Sequence, residues 1–239
     1  MVTFSQLGKY GRFGNSLFQI AGVMGIAEYN GYEYGFPKWI NWDAFDRFNT
    51  KENINVFEYF ENPLPECTVT LPDHFVHWGF WGLKHPDNRS YSGHFQSARY
   101  FDHIKDKIVE QFRMKDEYPK NDYTAIHIRM GDYDGVYHPV CGWDYYKDAM
   151  AVIPGPYLVF SDEIERAKKI FTKCEFFDSD TFDSFKMMKS CKNHIIANSS
   201  YSWWAAYLAG GEVVAPKKWF GDVAGLETKD IYCDNWTVL

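Results

Sequence analysis

The stretch Ile126-His127-Ile128-Arg129-Met130-Gly131-Asp132-Tyr133 reads as a strand that ends in chemistry. Asn121-Asp122 supply a turn signal and Tyr123-Thr124-Ala125 begin an extended run, after which Ile126, Ile128 and Met130 alternate with His127, Arg129 and Gly131. One face is apolar and the other ionisable. A histidine, a permanently charged guanidinium and a carboxylate thus gather where a strand gives way to a glycine-bearing loop, which in open α/β sheets is where ligands sit. An edge strand with its polar face in water would show the same alternation, so the reading leans on the rest of the chain.

Outward from this stretch, the second half alternates strand and helix. Asp144 to Val152 reads as a helix, Tyr157 to Phe160 as a strand, and Ser161-Asp162-Glu163 opens a helix with Lys168-Lys169 near its end, as the helix dipole favours. Phe176-Phe177 is a strand, Thr181 to Ser190 a helix, His194 to Ala197 a strand, and Asn198-Ser199-Ser200 a cap. Tyr201 to Leu208 is a helix stopped by Gly210-Gly211, and Glu212 to Ala215 a strand stopped by Pro216. In the first half, a strand from Val2 to Leu7 leads through a glycine loop into a helix beginning at Asn15 or Ser16, apolar nearly all round and stopped by Gly31. Tyr32 to Phe36 closes a βαβ unit. No elements are assigned between Trp39 and Pro86. Ala98 to Arg113 reads as an amphipathic helix, and the charged Met114 to Asp122 as a linker. The expectation is an α/β chain in two domains, 1–120 and 121–239.

With 239 residues, 46% of them hydrophobic, the chain has material for one sizeable core or two small ones. Its net charge of −7 argues against nucleic acid as a partner, because that needs clustered excess Lys and Arg. Any phosphate must be held locally. Five cysteines without a CxxC pair suggest free thiols in a reducing compartment. No basic leader and no apolar run of the ~20 residues needed to span a membrane are present, so a cytoplasmic location is expected.

Two places could cradle a pyrophosphate: Gly11-Arg12-Phe13-Gly14-Asn15 ahead of one helix, and the hydroxyl-rich Asn198-Ser199-Ser200-Tyr201-Ser202 ahead of another. The first is neither a GxGxxG nor a Walker loop. One serine of the second is explained by ordinary capping, but the run is not. Asp162 could accept from a guanine edge or a ribose hydroxyl, or could cap its helix with Glu165 in a capping box. Asp132-Tyr133-Asp134, Asp178-Ser179-Asp180 and the looser Asp43 with Asp46 resemble metal-nucleotide triplets, though chance triplets are expected among 32 acidic residues. His74 and His77 could bracket a metal or could be a packed pair.

Taken together, these blocks resemble bacterial α-1,2-fucosyltransferases, of a superfamily with O-fucosyltransferases and α-1,6-fucosyltransferases. The resemblance is carried by Gly11-Arg12-Phe13-Gly14-Asn15-Ser16-Leu17-Phe18-Gln19, Gly93-His94-Phe95-Gln96-Ser97 with Tyr100-Phe101, His127-Ile128-Arg129-Met130-Gly131-Asp132-Tyr133 and Phe160-Ser161-Asp162-Glu163. Met188 to Lys192 with Ile196 to Trp204, and Ala215 to Phe220, complete it. Met130 stands where a second arginine is common, and Ser16 where a glutamine is. The resemblance implies a GT-B-like fold, two Rossmann-like domains facing a cleft, with GDP-fucose held mainly by the C-terminal half. It also implies inversion at the fucose carbon, no obligatory metal and no further cofactor. The partners implied are GDP-fucose and an oligosaccharide or glycan acceptor, with O2 of a terminal β-galactoside the expected target.

On that reading Arg129 grips the pyrophosphate, since a planar fork can hold phosphate oxygens at two points. Ser200, Ser202 and the helix amides after Asn198 add hydrogen bonds. His127 and Tyr201 are expected at the nucleotide and Asp162 at the guanine, while Arg12, Gly14 and Asn15 close on the donor from the N-terminal domain. Asp132 is the candidate general base. The competing readings are a metal-dependent transferase using Asp178 and Asp180, and a glycan-binding module without catalysis. Trp78, Phe80 and Trp81 could stack on sugar or belong to a core.

Overall fold

The computed structural model describes residues 1–40, 55–76, 79–133, 135–222, 225–226 and 228–239. Met1–Asp116 with Lys229–Ile231 form one unit, and Glu117–Thr228 with Tyr232–Leu239 form another.

In the first unit, β1 (Val2–Thr3) runs through the glycine loop into α1 (Phe13–Asn30). From Phe13 to Ala27 every residue of α1 except Asn15 is buried, as an all-round apolar helix requires. Gly31, in the left-handed conformation, ends it and donates to the carbonyls of Ala27 and Glu28. Within the stretch left unassigned and just beyond it lie β2 (Asp73–Phe75) and β3 (Arg89–Ser92), which build a parallel sheet of order β1-β3-β2. The expected strand Tyr32–Phe36 is not one: it makes only the isolated bridges Val2↔Tyr34 and Phe36↔Glu66. Pro37 follows at once and cannot donate to a ladder. The helix expected from Ala98 to Arg113 is also broken, into 3-10 turns at Ala98–Tyr100 and Asp102–Ile104 and then α2 (Lys105–Gln111). Tyr100 and Phe101 are fully buried, Phe101 lies 6.2 Å from Phe18 of α1, and packing there overrides the helical period.

The second unit carries β4 (Thr124–Ile128), α3 (Trp143–Val152), β5 (Tyr157–Ser161), α4 (Ile164–Ile170) and β6 (Glu175–Phe176). There follow α5 (Thr181–Ser190), β7 (Asn193–Ile195), α6 (Ser200–Ala209), β8 (Val213–Ala215) and β9 (Thr237–Val238). All six strands are parallel, in the order β6-β5-β4-β7-β8-β9. Counted within the unit, that is 3-2-1-4-5-6, the doubly wound order with its switch point between β4 and β7. β4 is therefore central, and all five of its residues are buried. Its ionisable face does not meet water, which removes the edge-strand reading. Ile126, Ile128 and Met130 pack with Tyr146, Ala149 and Phe171 on one side of the sheet. All five cysteines are free thiols. Among the described residues no helix is long and apolar enough to cross a membrane.

Candidate active site

Register places the central pair of charges. Ile128 is paired with Ser161, so Arg129 and Asp162 leave the sheet side by side. Asp162 accepts from the Met130 amide at 3.0 Å and the Gly131 amide at 2.9 Å, and its Oδ2 lies 3.0 Å from Arg129 Nη1. A Cβ at Gly131 would fall 2.7 Å from that oxygen, so only glycine lets the carboxylate reach in. Asp162 does not cap α4, whose N-cap is Glu163, and the expected capping box with Glu165 is absent. The other guanidinium edge donates from Nη2 to Asp132 Oδ1 at 2.5 Å, and the Tyr133 ring centre lies 5.7 Å from the guanidinium carbon. Arg129 is thus held on two edges and near an aromatic face, with 17% of its side chain exposed. Such a group is oriented before any anion arrives.

Beside it, β7 runs into α6. Ser199 is the N-cap residue and its side chain makes no capping bond, so the first turn of α6 can turn the amides of Ser200 and Ser202 towards an anion. His127 is buried, with Nδ1 2.8 Å from Ser202 Oγ, and Ser202 in turn donates to the Ser199 carbonyl. A hydroxyl has one proton, so His127 donates from Nδ1. The His127 ring also packs 5.6 Å from Tyr201, whose hydroxyl donates to the Thr181 carbonyl at 2.6 Å. Asn198 is a hub: its Nδ2 donates to the carbonyls of Pro139 and Trp219, its Oδ1 accepts from Cys141, and its own carbonyl accepts from the Tyr133 hydroxyl at 2.7 Å. Sequence reasoning named Asn198 for a ligand and passed over Tyr133, whose bond to Asn198 ties the loop after β4 to the loop after β7. Nothing local in the chain signals that tie.

Arg12, Gly14 and Asn15 lie in the first unit at the start of α1. Arg12 is the N-cap residue, Gly14 is buried, and Asn15 is half-buried and bonded to Gln96. Asp180 is the N-cap of α5, accepting from the amides of Phe182 and Asp183, a sufficient structural reason for that one carboxylate of the Asp178-Ser179-Asp180 triplet. His74 Nε2 lies 3.2 Å from His85 Nδ1. Phe80 packs on Tyr100 beneath the Arg99 guanidinium, whereas Trp81 is largely exposed. Asp43, Asp46, His77, Trp78 and Asp134 lie outside the described residues. Among the described residues no three His, Cys, Asp or Glu side chains are grouped to hold a metal ion.

Two expected outcomes follow from this geometry. Replacing Asp162 by alanine leaves the part-buried Met130 amide without its acceptor and frees one edge of Arg129. An unsatisfied donor costs about 1–3 kcal/mol, so the unfolding temperature should fall by roughly 2 to 10 °C. A guanidinium displaced by an ångström should lower turnover by about 10- to 100-fold. A melt matching wild type, with GDP preference over inosine diphosphate abolished, would instead assign Asp162 to the base. The second outcome concerns acid. Burial holds His127 and His194 at about 4, below the ordinary 6.5. Below pH 6.5 the unfolded chain binds more protons than the folded one, so stability is full above that value and drains as pH falls towards 4. Thermal melts across that window should show the loss, more shallowly in His194→Gln; equal slopes in both proteins would contradict it.

A six-stranded parallel sheet of this order, with helices between its strands and an oriented guanidinium at its switch point, defines the class of doubly wound α/β units. The model described as "Glycosyl transferase family 11" matches residues 48–239, and the chain belongs to that family. It is 32% identical over 182 residues to the "O-antigen biosynthesis glycosyltransferase WbnK" of Escherichia coli, covering 60% of this chain and 58% of that one. It is 33% identical over 159 residues to an "Alpha-1,2-colitosyltransferase" of Escherichia coli, covering 54% and 55% respectively. The matched region therefore spans a little over half the length of these relatives. Among solved structures, the fucosyltransferase NodZ from Bradyrhizobium aligns with a TM-score of 0.44 at 11% identity, covering 85% of this chain and 91% of that one. The E. coli heptosyltransferase WaaC with ADP aligns at 0.47 and 8%, covering 99% and 91%.

Proposed function

We propose that the chain is a glycosyltransferase that moves L-fucose from GDP-β-L-fucose to a glycan hydroxyl, O2 of a terminal β-galactoside, with inversion and without an obligatory metal. The observation that carries this reading is Arg129, fixed at the carboxyl end of the central strand by Asp132 and Asp162 and set beside the open N-terminus of α6. As the bond from the fucosyl carbon to the phosphate oxygen breaks, its electron pair passes to GDP. The guanidinium and the α6 amides stabilise that charge. The acceptor oxygen forms the new bond at the same carbon from the opposite side and gives its proton to Asp132, which lies against the guanidinium. Family membership supports sugar transfer, and the likeness to a protein named a colitosyltransferase makes a colitosyl donor the natural comparison.

The test is incubation with GDP-fucose and a β-galactoside in excess EDTA, with the product's linkage read by NMR. An α-1,2-fucosylated product is expected. Transfer only with added Mn²⁺, or only from a colitosyl donor, would overturn the corresponding part of the proposal.

A further inference from the structure

In the first unit, the side chains of Asn15 and Gln96 form an amide pair across 81 positions of sequence. Gln96 Nε2 donates to Asn15 Oδ1 at 3.0 Å. Gln96 is 9% exposed, and its Oε1 is buried with no hydrogen-bond partner among the described residues. Asn15 is the one residue between Phe13 and Ala27 of α1 that is not buried, and its Nδ2 is bonded to nothing in the described part of the molecule. The pair therefore retains one wholly unused amino group and one wholly unused carbonyl oxygen. Reversing both amides leaves the same complement, since a single bond between two carboxamides always uses one N–H and one oxygen. The loop is shaped for this arrangement. Gly11 sits at φ +82°, and a Cβ there would come within 2.2 Å of Asn15 Nδ2. Gln19, one turn further along α1, anchors the loop by donating to the Tyr10 carbonyl at 3.0 Å.

A buried carbonyl oxygen without a partner costs about 1–3 kcal/mol. A neighbouring donor that is also unused points to a ligand group able to fill both roles at once. An alcohol does so with a single atom, its oxygen accepting while its proton is donated, and a sugar presents several such groups. We propose that Asn15 and Gln96 together form a subsite for one hydroxyl of a sugar. This rests on the reading of the chain as a sugar transferase and extends it to Gln96. The hydroxyl could belong to the transferred sugar or to the acceptor, and the experiment separates the two.

The experiment is saturation-transfer NMR on the full chain with L-fucose and, separately, methyl β-galactoside, comparing wild type with Gln96→Met and Gln96→Glu. Thermal melts of all three and a GDP titration run alongside. Gln96→Met removes the orphaned oxygen and leaves Asn15 to solvent, so its melt should match or exceed wild type. Binding of one of the two sugars should weaken about fivefold, the order expected for one neutral hydrogen bond. Gln96→Glu, which keeps an acceptor, should lose less. Loss confined to L-fucose assigns the subsite to the transferred sugar, and loss confined to the galactoside assigns it to the acceptor. Unchanged binding of both sugars, failure of wild type to bind either, or a lowered melt in Gln96→Met would overturn the subsite. The GDP titration reads the other unit's chemistry: normal GDP binding with unchanged sugars sinks only the subsite, whereas Gln96-dependent sugar binding without GDP binding sinks only the nucleotide reading.

Discussion

Arg129→Ala is expected to lower sugar transfer by about 100- to 1,000-fold, the cost of removing one preorganised charge donor from a site where negative charge develops. The scaffold should survive. Asp162 keeps the amides of Met130 and Gly131, and Asp132 is 41% exposed and can be solvated. On the proposed function the guanidinium meets the pyrophosphate in both the bound donor and the leaving group, so the loss should appear in GDP affinity as well as turnover. Arg129→Lys should recover little. An ammonium cannot span Asp132, Asp162 and a phosphate with fixed planar geometry. Retained GDP affinity in the alanine variant would remove Arg129 from the phosphate site.

Asp132→Asn should lower transfer by about 100-fold or more, the lower range for losing a general base, while GDP affinity stays within a few-fold of wild type. The split between turnover and binding matters, because Asp132 also pairs with Arg129 at 2.5 Å. If the carboxylate merely steadies the guanidinium, asparagine should raise the donor KM and weaken GDP together. A loss of turnover alone, with the acid limb of the rate–pH profile abolished, fits proton transfer. Transfer near the wild-type rate would end the assignment of Asp132 as base.

The second unit was largely legible in the sequence. Its strands and helices are short, alternate cleanly and are punctuated by residues with fixed backbone preferences, such as Gly210 in the left-handed conformation after α6. The first unit was less so. The strand that the hydrophobic pattern suggested at Tyr32 to Phe36 makes only isolated bridges at Tyr34 and Phe36, to two different segments, and burial of Tyr100 and Phe101 against α1 breaks a helix that periodicity alone would continue. At the site, residue types could be read but their partners could not. Asp162 meets the Arg129 loop because of the register between β4 and β5, and Asn198 reaches Pro139 and Trp219 across 59 and 21 positions. Gln96 was visible only as part of a motif. Its bond to Asn15 is set by tertiary packing, which leaves no periodic trace in the chain.

The central claim is that a fixed arginine and a helix N-terminus hold a guanine nucleotide without a metal. Calorimetric titration with GDP and, separately, UDP, in excess EDTA and then with Mn²⁺, tests it most directly. The account predicts GDP binding in EDTA, unchanged by Mn²⁺ and lost in Arg129→Ala, with UDP silent. Binding of UDP alone and only with Mn²⁺ would contradict it.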